Sequence, residues 1–168
     1  MEEIINKVTN SKLVTIDLED YYPKGDRVLF DIKKWLFQEL ILKEKDFRES
    51  LEQFDWSSLS NCYVALTCTA DAVIPSWAYL LITTKAAPFT KHIVVGDLNL
   101  LESSIYQKII DNFDTDHIKD KPVIIKGCAN KPIPTSAYTQ LIEKILPIAN
   151  SIMYGEACST VPLFKKPK

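Results

Sequence analysis

Residues 62–82 read CYVALTCTADAVIPSWAYLLI, and residues 122–142 read PVIIKGCANKPIPTSAYTQLI. Each stretch opens on an apolar run that ends near a cysteine, Cys68 or Cys128, crosses a short spacer and arrives at Ile-Pro, a hydroxyl residue and an Ala-Tyr pair. An apolar run without polar alternation is what a parallel strand covered on both faces requires. Proline starts a helix well, because its φ is preset and the amide it lacks would have gone unpaired anyway. Ser76 or Thr135 beside it can cap neighbouring amides. Both stretches therefore read as strand, loop, helix. Ala78 and Ala137 let each helix approach its sheet closely, with Tyr79 and Tyr138 beside them. Shared local needs or a functional duplication would each produce this likeness.

The same rhythm runs outward along the chain. Further short apolar runs are ELILK (39–43), HIVVG (92–96) and SIMYG (151–155). The last four runs begin at 62, 92, 122 and 151, a spacing of about 30 residues that suits one strand-helix-strand step. Between them lie amphipathic stretches. DFRESLEQF spaces Phe47, Leu51 and Phe54 along one helical face, with Asp46 as an expected N-cap and Glu49 completing a capping box. Pro75–Ala86, Asn99–Phe113 and Pro134–Asn150 fill the remaining gaps, and Pro147 should kink or end the last helix early. Toward the N-terminus, Leu13–Leu18 and Arg27–Ile32 are strand-like and separated by Pro23 and Gly25, which reads as a hairpin-like or edge addition. Trp35–Gln38 is too short to classify. The expectation is one α/β domain over 1–168: an N-terminal strand-rich extension (1–38) and a βα core (39–158). Its architecture should be three-layer, a mainly parallel sheet of about five strands with helices on both faces, joined by right-handed crossovers.

Composition fits this and narrows the partners. With 168 residues, 46% hydrophobic and 25% charged, the chain can bury a sizeable core. Lys plus Arg number 20 against 22 Asp plus Glu, a formal net charge of -2, so no overall field favours nucleic acid. The terminal KKPK reads as a solvated end. MEEIINKV shows no basic segment followed by an apolar one, and no apolar run approaches the ~18 residues of a membrane span. The expectation is a cytoplasmic protein without membrane contact. Four cysteines without a secretory signal then imply reduced thiols used in packing, metal binding or redox chemistry.

In open α/β sheets the binding crevice lies outside the carboxyl ends of the strands, where loops converge and helix N-termini point inward. Cys68 and Cys128 should both reach that edge, and Cys158, just past the last apolar run, should join them. Three thiolates with Glu156, Asp71, Asp97, a histidine or water as fourth ligand would suit zinc, iron or an iron–sulfur cluster. No CxxC pair supports this, so convergence rests on topology. The alternatives are three thiols capping buried strands, or thiol redox or nucleophilic chemistry. Cys62 starts its strand at the opposite edge and reads as a small buried hydrophobe. Asp71 and Asp97 follow strands and suit a ligand or acid–base role on one reading, N-capping or turn formation on the other. Asp17 and Glu19 in IDLED, and Asp31 in FDIKKW, are candidate carboxylates or a solvated face. His92 and His117 read as surface or loop residues. No GxSxG elbow occurs, and neither GxGxxG nor GxxxxGK[ST] is present among only four glycines, which argues against a dinucleotide or nucleotide cradle.

LEDYYP, FDIKKWLFQELILKEKDFRESL, DAVIPSWAY, KGCANKPIP and SIMYGEACSTVP together resemble an uncharacterised bacterial domain-of-unknown-function family of about this length. The resemblance spans nearly the whole chain. It implies members often encoded beside iron–sulfur cluster assembly components and carries no catalytic residues. No reaction is named by the residues. A metal- or thiol-linked accessory role, in iron–sulfur maintenance if the resemblance extends that far, is the leading reading. An interaction or scaffold protein, binding a protein partner through DAVIPSWAY with Trp77 and the KPIP loop, is the alternative from another class. A small-molecule enzyme using Asp71 and Asp97 is the third.

Overall fold

The computed structural model describes residues 12–127, 130–156 and 159–167. The chain forms two compact units, a discontinuous one made of Met1–Tyr22 with Tyr106–Lys168 and a continuous one, Pro23–Ile105, inserted within it. The strands belong to two sheets, one in each unit.

The continuous unit holds β2 (Arg27–Asp31), β3 (Tyr63–Thr67) and β4 (His92–Val95), all parallel in the order β2-β3-β4. Helices α1 (Glu44–Gln53) and α2 (Ser76–Ala86) supply Phe47, Leu51, Ala78 and Ile82, which form a core with Phe30, Val64 and Leu66. Side chains alternate along a strand, so Arg27, Tyr63 and His92, which share one register row, point to the other face. There Glu102 accepts from Arg27 Nε at 2.6 Å, and Ser104 Oγ lies 2.7 Å from His92 Nε2. The first half of α3 (Leu98–Asp111) therefore covers that face, and this sheet has helices on both sides, as the apolar runs required. Cys62 is buried in the core.

In the discontinuous unit the order is β1-β5-β6-β7, with β1 (Val14–Ile16), β5 (Pro122–Ile125) and β6 (Ser151–Glu156) parallel. The unanticipated β7 (Ser159–Lys165) closes the sheet antiparallel to β6. Tyr106, Ile110 and Phe113, together with Leu141 and Ile145 of α4 (Thr135–Ile145), pack on Ile16, Val123, Ile125 and Ile152. The last helix ends at Ile145, two residues before Pro147, as its fixed φ and missing amide predict.

Two expectations need correction. ELILK is not a strand: Gln38 and Glu39 have φ of 51° and 58°, which turns the chain so that Phe37 and Ile41 meet in one antiparallel bridge. Apolar composition favours a strand only where a partner ladder exists, and here none does. Asp46 is not a cap. The N-cap position is Lys43, without a side-chain bond, and Asp46 sits in the first turn, where the helix dipole favours a carboxylate. Of the two readings of the N-terminal strands, the edge addition holds: β1 and β2 do not pair with each other, and each is an edge strand, parallel to β5 and to β3 respectively.

The two units repeat one another well beyond the quoted stretches. Pro75 and Pro134 are 59 positions apart, and so are Ala78 and Ala137, Ile82 and Leu141, Leu51 and Ile110, and Val64 and Val123. The same interval joins Asn61 to Asp120 (φ 62° and 56°) and Gly96 to Gly155 (φ 151° and 125°). It also joins backbone bonds: Asn61 N–H donates to Phe89 O at 3.0 Å, and Asp120 N–H to Ile148 O at 2.9 Å. Local grammar explains why each proline starts a helix. It does not produce one constant offset across helices, turns and strand registers, so the chain contains an internal structural repeat.

Candidate functional site: the carboxyl edges of the two sheets

In the continuous unit, Asp31 ends β2 beside the end of β3. Its Oδ1 accepts the N–H of Lys33 at 2.9 Å and of Thr69 at 3.2 Å, and its Oδ2 accepts the Thr69 hydroxyl at 2.5 Å. Burial pushes the Asp31 carboxyl up, but the Thr69 hydroxyl, the two backbone amides and the Lys33 charge together outweigh it and hold the group below its ordinary value. Cys68 is half-buried, its Sγ 3.9 Å from Ala70 O. The Tyr79 phenol is raised, first by burial and then by the charges of Cys68 and Asp31. Lys33 is raised by its 2.9 Å bond to Glu39 and by that carboxylate's charge, with smaller help from Asp31 and Cys68. Asp31, Lys33, Cys68, Thr69 and Tyr79 thus form one polar cluster at this edge.

Asp71 is exposed. Asp97 Oδ1 accepts the N–H of Leu100 at 2.8 Å, so it caps the start of α3. Trp77 is half-buried, edge-on to Phe47 at 5.9 Å. With Leu80, Leu81, Thr84, Glu44 and Arg48 it lines a surface groove of about 300 Å³ between α1 and α2. Val73 in the preceding loop is 95% exposed.

In the discontinuous unit, Asp17 holds the place of Asp31, accepting the N–H of Glu19 at 3.0 Å and pairing with Lys126 Nζ at 3.0 Å. That bond raises Lys126 above its ordinary value, followed by the charge of Asp17 and then that of Glu156. Glu19 accepts the N–H of Lys131 at 2.6 Å. Gly127 stands where the other unit has Cys68, and the ring of Tyr154 fills the room: an added Cβ would lie 2.7 Å from its Cζ. Cys128 and Cys158 lie outside the described residues, so the expected three-thiol convergence is not described. Among the described residues no three His, Cys, Asp or Glu side chains are placed to share an ion. No described helix is long and apolar enough to cross a membrane.

A family model described as "Protein of unknown function (DUF2480)" matches residues 2–166. The chain belongs to the DUF2480 family. No curated protein and no solved structure matches it. Within this DUF2480 chain, sequence reasoning reached Cys68 and noted Asp31, but missed Lys33, Thr69, Lys126 and the groove residues Arg48 and Leu80. The signal available for them was the repeat. An aspartate stands at the end of β2 and directly after β1, and its side chain caps the residue two positions on in both.

Proposed function

We propose that the chain is an interaction protein whose groove between α1 and α2 receives an apolar segment of a protein partner. The observation that carries this reading is a contrast between repeated positions. In the continuous unit α1 gives the groove Glu44 and Arg48, and α2 gives it Trp77, Leu80, Leu81 and Thr84. The residues 59 positions on are Ser136, Thr139 and Gln140. A groove of nearly equal size, about 310 Å³, lies between α3 and α4 and is lined by Gln107, Gln140, Glu143 and Lys144 with Ile110 and Asp111. The repeated helix positions therefore carry Trp77, Leu80 and Leu81 in one unit and Ser136, Thr139 and Gln140 in the other. Water-facing helix surfaces are ordinarily polar, and Leu80 is left 64% exposed. Covering such side chains contributes roughly 25 cal/mol per Å² of apolar surface removed from water. A photo-crosslinking residue at Leu80 should yield discrete protein adducts in cells, while the same residue at Thr139 should not. Equal labelling from both positions refutes the groove as the docking surface.

A metal- or thiol-linked accessory role, in iron–sulfur maintenance as the family resemblance implies, is the second reading. It is supported by Cys68, a half-buried thiol at a carboxyl edge beside Asp31, Lys33 and Tyr79. On this reading, protein purified anaerobically without chelator carries zinc or iron, and replacing Cys68, Cys128 and Cys158 by serine removes it. Metal-free wild-type protein from that preparation counts against it.

A further inference from the structure

The turn that stands where ELILK was expected as a strand puts apolar side chains into water. Leu36 is buried and Leu42 packs on the core of the continuous unit, so the segment is anchored at both ends. Between these anchors residues 37–41 are all exposed, Phe37 to 42%, Leu40 to 57% and Ile41 to 57%. Phe37 N–H donates to Ile41 O at 2.8 Å, and the N–H groups of Leu40 and Ile41 both donate to Phe37 O at 3.1 Å. The backbone of this tip is thus closed on itself and stands out from its base. Its two turning residues, Gln38 and Glu39, are left-handed without being glycine, a strained choice for a loop with no task. Single apolar side chains on a surface need no explanation, but three within five residues form a patch.

The charges around the tip select what covers it. Lys33 and Lys34 precede it, and Lys43 and Lys45 follow. Lys33 Nζ holds the Glu39 carboxylate at 2.9 Å, Arg48 Nε holds Glu44 at 2.9 Å, and Lys43 Nζ lies 3.2 Å from the centre of the Phe37 ring. The two ion pairs cancel, which sets Lys34, Lys43 and Lys45 against Asp46. Residues 33–48 therefore carry a net charge of +2 within a chain whose total is -2, which leaves -4 for the rest. Lysine stems lie along apolar surface while their ammonium groups stay at the level of charged headgroups. An anionic bilayer offers both, acyl chains to part around Phe37, Leu40 and Ile41 and negative charge for the lysines beside them. A protein partner would instead need a cavity shaped to this tip. We propose that residues 37–41 dip into the surface of an anionic bilayer, with the flanking lysines on its headgroups. Contact of this kind is peripheral and needs no spanning segment, and it does not depend on the groove between α1 and α2.

Co-sedimentation of the full chain with vesicles of phosphatidylcholine containing about 30% phosphatidylserine tests this. Binding is expected on these vesicles, not on pure phosphatidylcholine, and should weaken as salt is raised. Each lysine near an anionic surface strengthens binding about fivefold, so Lys34→Gln with Lys45→Gln should weaken it about thirtyfold. Glu39→Gln, which removes the acid from the tip and frees Lys33, should strengthen it about fivefold. Leu40→Ser with Ile41→Ser should remove binding at the same vesicle concentration. These side chains are exposed, so the urea midpoints of the variants should stay near that of the wild type. No binding to the anionic vesicles, equal binding to the neutral ones, or binding that neither the lysine pair nor the apolar pair changes overturns the proposal. So does a photo-crosslinking residue at Ile41 that labels protein and no lipid in cells, which would give the tip to a protein partner.

Discussion

Asp31 shows how one carboxylate ties two strand ends together. Burial alone would favour its protonated form, yet the Thr69 hydroxyl, two amides and the Lys33 charge win and hold its affinity for a proton below the ordinary value. The stability this contributes is complete above the unfolded-state value and is lost as pH falls through the lower folded-state one. Asp31→Asn keeps an oxygen for the amides but has no charge to lose. Its urea midpoint should therefore fall less than the wild-type midpoint between pH 7 and about pH 3. Parallel acid profiles would show that the carboxylate contributes nothing specific. That Asp31 lies in a strand-like run was legible in sequence; that it sits beside the end of β3 and bonds Thr69 was not, because the two are 38 positions apart and meet only through the β2–β3 register.

Among the elements, strands with a continuous apolar run and helices started by proline were readable, because each depends on neighbours a few residues away. The failures share a cause. ELILK is as apolar as HIVVG but has no ladder to join, and β7, STVPLFK, contains Pro162 and reads poorly as a strand until β6 offers it an edge. The matched glycines also separate local from tertiary demands. Gly96 and Gly155 both have positive φ, which strains any side chain, but a Cβ at Gly96 meets the Cδ2 of Leu100 whereas one at Gly155 meets the backbone oxygen of Ser159 at 2.5 Å. A leucine tip can move and a paired strand cannot. Alanine at either position should destabilise by about 1–3 kcal/mol, with Gly155→Ala at the upper end. Chemical denaturation of the two variants checks the order, and a larger loss for Gly96→Ala would contradict it.

At the scale of the whole molecule, each unit has its own core: Phe47, Leu66 and Ile82 in the continuous one, Tyr106, Ile125 and Leu141 in the discontinuous one. Ile82 and Leu141 occupy the same place in the repeat and both are fully buried. Ile82→Ala and Leu141→Ala should each cost about 2–5 kcal/mol through lost burial and a residual cavity. Native-state hydrogen exchange should show the first lowering protection chiefly in Pro23–Ile105 and the second chiefly in the other unit. Uniform loss from either substitution would mean that the units open as one. The repeat gives this comparison its control, since the two deletions are made in equivalent surroundings.

The sequence by itself determined the α/β class, the parallel strands, the proline-started helices and the placing of Cys68 at a carboxyl edge. Those follow from periodicity and from what proline and an apolar run can do locally. Only the tertiary structure decided that the strands divide between two sheets, that β1 joins residues more than a hundred positions away, and that two similar phrases belong to a repeat with a constant interval. It also decided that Trp77, Leu80 and Leu81 come together with Glu44 and Arg48 of α1 in one groove. Pairing and packing depend on which distant segment supplies the other half of a ladder or the other wall of a groove, and no short stretch carries that information.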